Sequence, residues 1–135
     1  MASRPGLSDA ELEVLKVLWN CGPSTVREIN EVLEHQGRHW AYTTVATLLQ
    51  RLGVKRYVSG DPSAVAHVYR AVITRDELLE HRLKDTAEEL CDGRAAPLIL
   101  ALVQNSRLLP VEVARLRRLL DEASGNTGSA PKTES

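Results

Sequence analysis

WAYTTVATLLQRL, residues 40–52, carries Val45, Leu48, Leu49 and Leu52 at positions i, i+3, i+4 and i+7. That spacing lays four apolar side chains along one face of a helix running from about Tyr42 to Leu52. Directly after it the period changes. Tyr57-Val58-Ser59 and Ala66-His67-Val68-Tyr69-Arg70 are β-prone runs, and Gly60-Asp61-Pro62-Ser63 between them is a strong turn signal. The helix is therefore followed by a hairpin.

Working back from Trp40, two more helices are written in the chain. Ser8-Asp9-Ala10-Glu11 forms a capping box that opens a helix with Leu12, Leu15, Val17, Leu18 and Trp19, and Cys21-Gly22-Pro23 stops it. Ser24 or Thr25 then caps a second helix with Val26, Ile29, Val32 and Leu33 inside, ending at Gly37. Three short helices and then a hairpin is the order of a winged helix-turn-helix. In that arrangement the third helix enters the major groove and the hairpin lies along the DNA backbone. Residues 1–73 are assigned to this domain. The fold class is mainly α with a small β-hairpin wing, plus a C-terminal helical segment that dimerises.

That segment, residues 74–123, begins with another capping box, Thr74-Arg75-Asp76-Glu77, before Leu78, Leu79, Leu83, Ala87 and Leu90. Pro97 suits the first turn of a short helix, Leu98-Ile99-Leu100-Ala101-Leu102-Val103, that is apolar on nearly every side. Pro110 opens a last helix with Val113, Leu116, Leu119 and Leu120 on one face. A helix apolar all round must be covered all round, and a chain this small has little to cover it with except a second copy of itself. The expected homodimer seam comprises Leu79, Leu83, Leu98, Ile99, Leu100, Leu102, Val103, Leu116, Leu119 and Leu120. Residues 124–135, SGNTGSAPKTES, are low in apolar content and are expected to be disordered.

The 135 residues allow one ordinary domain, or a small one with an oligomerisation segment. Phe is absent, so Leu and Val must build the core. Cys21 and Cys91 stand far apart without partner spacing, as in a reduced cytosolic chain, and are expected to pack as small apolar groups at helix ends. No stretch reaches the length of a membrane span, and the N-terminal MASRPGLSD lacks the apolar core of a signal peptide. The expected location is the cytoplasm, with no membrane insertion. The net charge of −1 hides an asymmetry. Between Gln36 and Arg75 stand Arg38, Arg51, Lys55, Arg56, Arg70 and Arg75 against Asp61 alone, a local +5. A basic stretch on a balanced protein fits a DNA-reading surface.

The face of the third helix opposite its apolar stripe shows Thr43, Ala46, Thr47 and Gln50, with Thr44 and Arg51 at its edges. Gln can bond adenine bidentately, Thr offers a methyl to thymine and a hydroxyl to phosphate, and Arg takes guanine or phosphate. Tyr42 either bonds a phosphate through its hydroxyl or packs in the turn, and Trp40 reads as a lid over the core. The DNA-binding candidates are Tyr42, Thr43, Thr44, Ala46, Thr47, Gln50, Arg51, Lys55, Arg56, His67 and Arg70. Arg38 is a further phosphate candidate. No metal site is expected: His35 and His39 straddle Gly37, and no Cys lies near His67 or His81. No cofactor is implied. No nucleophile–base–acid spacing, phosphate loop or carboxylate pair supports an enzyme. Arg115, Arg117 and Arg118 are expected to pair with Glu112, Asp121 and Glu122.

Over about residues 7 to 122 the chain resembles the penicillinase-repressor (BlaI/MecI/CopY) family. The resemblance rests on LSDAELEVLKVLW, TVREINEVL, WAYTTVATLLQRL, AHVYRAVITRDELL and the DGRAAPLILALV…RLRRLLDE end. It implies a homodimer that binds pseudo-palindromic, double-stranded operator DNA and blocks transcription. It also implies release through cleavage set off by a membrane sensor protease, or through copper in one branch. Three features depart from the family. Ala101-Leu102 stands where an Asn-Phe scissile pair is common, paired Cys-x-Cys motifs are absent, and the wing tip Gly60-Asp61-Pro62-Ser63-Ala64-Val65 is acidic. Arg56 also occupies a position where the family usually has Gly. The competing readings are a winged-helix protein-interaction module and a metal- or redox-sensing regulator.

Overall fold

The computed structural model describes residues 5–61 and 67–124. Most of the expected wing turn, the start of the second β-prone run and the tail from 125 onward lie outside those residues. The chain forms two compact units that divide between Arg82 and Leu83.

The first unit contains α1 (Asp9–Cys21), β1 (Ser24–Thr25), α2 (Val26–His35), α3 (Tyr42–Val54), β2 (Val58–Asp61), β3 (Val68–Ala71) and the start of α4 (Arg75–Cys91). Each helix begins where the local chemistry allows. The Ser8 hydroxyl accepts from the Glu11 amide at 3.1 Å, while the Glu11 carboxylate accepts from the Ser8 amide at 2.8 Å. Thr25 and Glu28 repeat that reciprocal pattern at α2, as do Thr74 and Glu77 at α4. Thr25, not Ser24, is therefore the cap of α2.

Helix ends follow the same logic. The Gly37 amide donates to Glu34 O and the Arg38 amide to Leu33 O, closing α2 with Gly37 at φ +86°. These are the two hydrogen bonds of a Schellman cap, which needs a left-handed residue and usually takes glycine. The helix itself stops at His35, two residues before Gly37.

The sheet has the order β1-β3-β2 and is antiparallel throughout. Val58 pairs with Ala71 and Gly60 with Tyr69, so the two expected runs do form a hairpin, shifted by one or two residues. The third strand was not expected. Ser24 and Thr25 pair with Tyr69 and Val68 and tie the α1–α2 connection to the wing.

Three helix stripes meet in one core. Val14, Leu15, Val17 and Leu18 of α1 pack with Val26, Ile29 and Leu33 of α2 and with Val45, Leu48, Leu49 and Leu52 of α3. Tyr57, Val58, Ile73 and Leu78 close it. Trp40 is partly buried against this core, as a lid would be. A mainly helical chain with a small hairpin wing is thus the observed class.

The second unit holds the rest of α4, then α5 (Ala96–Asn105) and α6 (Pro110–Ala123). Ala87 is buried, yet neither α5 nor α6 buries a single residue in this chain. Leu83, Ala87, Leu98, Ile99 and Leu102 line an open, mainly apolar groove of about 580 Å³. Leu100, Leu102, Leu119 and Leu120 all remain exposed, Leu102 by 55%. The Glu112 carboxylate caps the Leu109 amide at 2.8 Å, a one-sided cap because leucine has no side-chain acceptor. The arginine pairing expected here is not found: among the described residues Arg115, Arg117 and Arg118 make no ion pair with Glu112, Asp121 or Glu122.

Candidate nucleic-acid interface

The buried stripe of α3 dictates what the helix shows to solvent. With Val45, Leu48, Leu49 and Leu52 held in the core, Tyr42, Thr43, Thr44, Thr47, Gln50 and Arg51 are all exposed. Ala46 is corrected: it is half-buried and packs against the core instead of lying on the outer face. Ala46 lies three residues before Leu49, so the two are neighbours on the helix surface and the methyl group is drawn under the edge of the stripe. Tyr42 is 55% exposed and does not pack in the turn. The N-cap of α3 is Ala41, which has no side chain to accept from the first turn. The first-turn amides around Tyr42 and Thr43 therefore point outward without a side-chain acceptor, where the partial positive end of the helix favours anions.

At its other end α3 closes with the same cap as α2. The Arg56 amide donates to Gly53 O at 3.1 Å and the Tyr57 amide to Leu52 O at 2.9 Å. Arg56 takes the left-handed position at φ +71°, where α2 has Gly37. Its side chain is exposed at the junction of α3 and the wing.

Lys55, counted above as a phosphate candidate, is placed differently. Its ammonium donates to Glu11 Oε1 at 2.6 Å and to the Gly6 carbonyl at 3.0 Å. Glu11 is 1% exposed. Burial alone pushes its carboxyl up, but the Lys55 hydrogen bond, the Ser8 amide, the Lys55 charge and the Ser8 hydroxyl together outweigh that and hold it below its ordinary value. A buried carboxylate paired in this way is a structural element, and the charge opposite it is taken.

On the wing, Arg70 points to solvent from the middle of β3, and His67, also exposed, lies with its ring 5.2 Å from that of Tyr69. A side chain at Gly60 would stand 3.1 Å from Tyr69 Cε1, so the strand opposite Tyr69 is kept bare for that ring. Arg38 lies over the Trp40 ring at 5.7 Å and its Nε is 3.4 Å from Glu13, which partly neutralises it. Exposed on α3, its C-terminal junction and the wing are thus Thr43, Thr44, Thr47, Gln50, Arg51, Arg56, His67 and Arg70.

The histidines and cysteines form nothing comparable. Among the described residues no group of three His, Cys, Asp or Glu could hold a metal ion. His35 Nδ1 bonds Glu31 O and His39 Nδ1 bonds Glu34 at 2.6 Å. Both cysteines are free, and Cys21 is exposed at the end of α1 instead of packing there. Among the described residues no helix is long and apolar enough to cross a membrane.

The β1 strand and the Glu11–Lys55 pair were missed by sequence reasoning. Two residues are too few to show a strand period. The pair joins positions 44 residues apart, and no spacing rule links them.

Comparison with known proteins places these residues in context. The family model described as penicillinase repressor matches residues 7–122. The transcriptional regulator BlaI of Mycobacterium tuberculosis is 36% identical over 133 residues, covering 97% of this chain and 94% of that protein. The penicillinase repressor of Bacillus licheniformis is 27% identical over 122 residues, covering 90% of this chain and 94% of that one. Among solved structures, that of the monomeric form of Bacillus licheniformis BlaI in complex with the blaP half-operator is similar at 31% identity. It covers 57% of this chain and 93% of that one, with a TM-score of 0.48.

Proposed function

This chain belongs to the penicillinase repressor family, and from that premise we propose that it is a sequence-specific DNA-binding repressor of transcription. The observation that carries the proposal is the exposed polar face of α3, set by four buried residues on its other side, with Arg51, Arg56 and Arg70 exposed in the same unit. In the major groove, Gln50 and Thr47 would meet base edges, and Thr43, Thr44 and Tyr42 would meet the backbone near the helix N-terminus. Arg51, Arg56 and Arg70 would neutralise phosphates on either side.

One such domain makes few phosphate contacts, so tight binding calls for two. We infer that residues 74–123 supply the second copy. Leu79, Leu83, Leu98, Ile99, Leu100, Leu102, Val103, Leu116, Leu119 and Leu120 are exposed or half-buried in the single chain. Full burial of such a side chain is worth roughly 1.5–3 kcal/mol, and the fraction each still exposes, summed over all of them, favours a two-fold seam. A two-fold dimer presents its winged domains to a pseudo-palindrome with half-sites about one helical turn apart. Residues 1–73 would read DNA and 74–123 would join the copies. A protein of this kind acts in the cytoplasm and needs no catalysis.

The test is selection. The full chain should enrich a pseudo-palindromic duplex from a random-sequence library and retard it in a gel. A chain that enriches no sequence is a protein-interaction module, and the proposal falls.

A further inference from the structure

We infer that Lys55 is a positioning residue that fixes the tilt of α3 on its DNA through buried Glu11, and that it does not contact phosphate. The inference rests on the DNA-binding reading above.

Lys55 is the C-cap of α3, the last residue before the left-handed turn at Arg56 that leads into the wing. Its ammonium reaches the first turn of α1 and the residues before it, with 2.6 Å to Glu11 Oε1 and 3.0 Å to Gly6 O. Glu11 Oε1 accepts from the Ser8 amide as well, so the pair is anchored to the α1 N-cap and not merely to a mobile side chain. Two residues further on, the Tyr57 hydroxyl donates to the Pro5 carbonyl at 2.5 Å. The junction between α3 and the wing is therefore tied twice to the leader that precedes α1. At the opposite end of α3, Ala41 makes no side-chain cap bond.

The chemistry disfavours a second role for Lys55: two of its three N–H donors are held by Glu11 and Gly6, and the carboxylate balances its charge. A carboxylate that is 1% exposed needs its partner, because an unpaired buried charge costs more than any surface contact returns. Turning the ammonium toward a phosphate would strand Glu11. Apolar packing fixes how deep α3 sits but is non-directional. The charge-assisted bond at its C-terminal end is directional and selects one tilt. Tilt decides whether Thr47 and Gln50 meet base edges together, since base contacts demand placement within fractions of an ångström.

The experiment compares full-length wild-type, Lys55→Met, the double variant Glu11→Gln/Lys55→Met and Arg70→Ala. The probes are the duplex that the wild-type chain enriches from a random library and a mixed-sequence duplex of equal length. Circular dichroism establishes folding. The double variant removes the stranded carboxylate, so a folded protein lacking the strut is at hand even if the single variant unfolds. The expected result is a fall of about tenfold in the ratio of specific to mixed-sequence affinity, the worth of one displaced base contact. The salt slope on mixed-sequence DNA stays at the wild-type value, while Arg70→Ala lowers it by about 0.9. An unchanged ratio, or a slope lowered as in Arg70→Ala, overturns the inference. Failure of the wild-type chain to enrich any duplex refutes the DNA-binding reading itself, and this inference with it.

Discussion

Arg56→Gly is expected to stabilise the winged unit while weakening its grip on DNA. The backbone at Arg56 has φ +71°, in the left-handed position of a Schellman cap, and a side chain there costs about 1–2 kcal/mol that glycine does not incur. Two terms oppose the gain. Glycine frees the unfolded chain by about 0.4–1 kcal/mol, and an exposed arginine's own interactions are worth about 0–1 kcal/mol. At mid-range the net expectation is a gain of about 0.3 kcal/mol, or about 1–2 °C in the melting temperature of a domain this size. Arg56→Ala is the control, because it removes the side chain yet keeps the Cβ that causes the strain. The assay is urea unfolding followed by tryptophan fluorescence, since the two tryptophans, Trp19 and Trp40, both lie in the first unit. The same Gly variant should bind all DNA more weakly, with a salt slope lower by about 0.9. A Gly variant no more stable than the Ala variant would refute the strain argument.

The buried Glu11 gives a pH dependence of known sign. Its carboxyl is held below the ordinary value, so its contribution is in place above about pH 4.3 and is lost as the pH falls through the lower folded value. The urea midpoints of wild-type and Glu11→Gln should differ most near neutrality and converge in acid; a gap that widens in acid contradicts the assignment. At the proposed seam, Leu102→Asp should halve the mass seen by light scattering without changing the tryptophan signal of the winged unit, because a buried unpaired charge costs several kcal/mol. A variant that stays dimeric places the seam elsewhere. A sensor protease specific for Asn-Phe should leave Ala101-Leu102 intact in mass spectrometry, and a cut after Ala101 would show that the departure is tolerated.

Most of the first unit was legible in the sequence because its signals are local. Capping boxes at Ser8 and Thr74 act over three residues, and the Val45, Leu48, Leu49, Leu52 stripe repeats with the helix. At position 56, where the family usually has glycine, the backbone is left-handed with arginine in it. What escaped is tertiary. Lys55 read as one basic residue among several until Glu11 was found buried beside it. Ala46 sat near the edge of the stripe, where a helical period alone does not separate half-buried from exposed. β1 exists only because β3 offers it an edge. Cys21 lies past the last buried turn of α1, where nothing covers it. For the candidate site, residue types and helix face were readable, and the division between groups free to touch DNA and groups committed to the core was not.

The most direct test of the central claim is base preference at single positions of the enriched duplex. Gel retardation of duplexes carrying each of the four base pairs at each half-site position is measured for wild-type, Thr47→Ala and Gln50→Ala. If α3 reads the major groove, each variant loses discrimination at one base-pair position, by about 1–3 kcal/mol, while preferences elsewhere persist. If both variants keep the full wild-type pattern of preferences and affinities, the exposed face of α3 is not the reading surface.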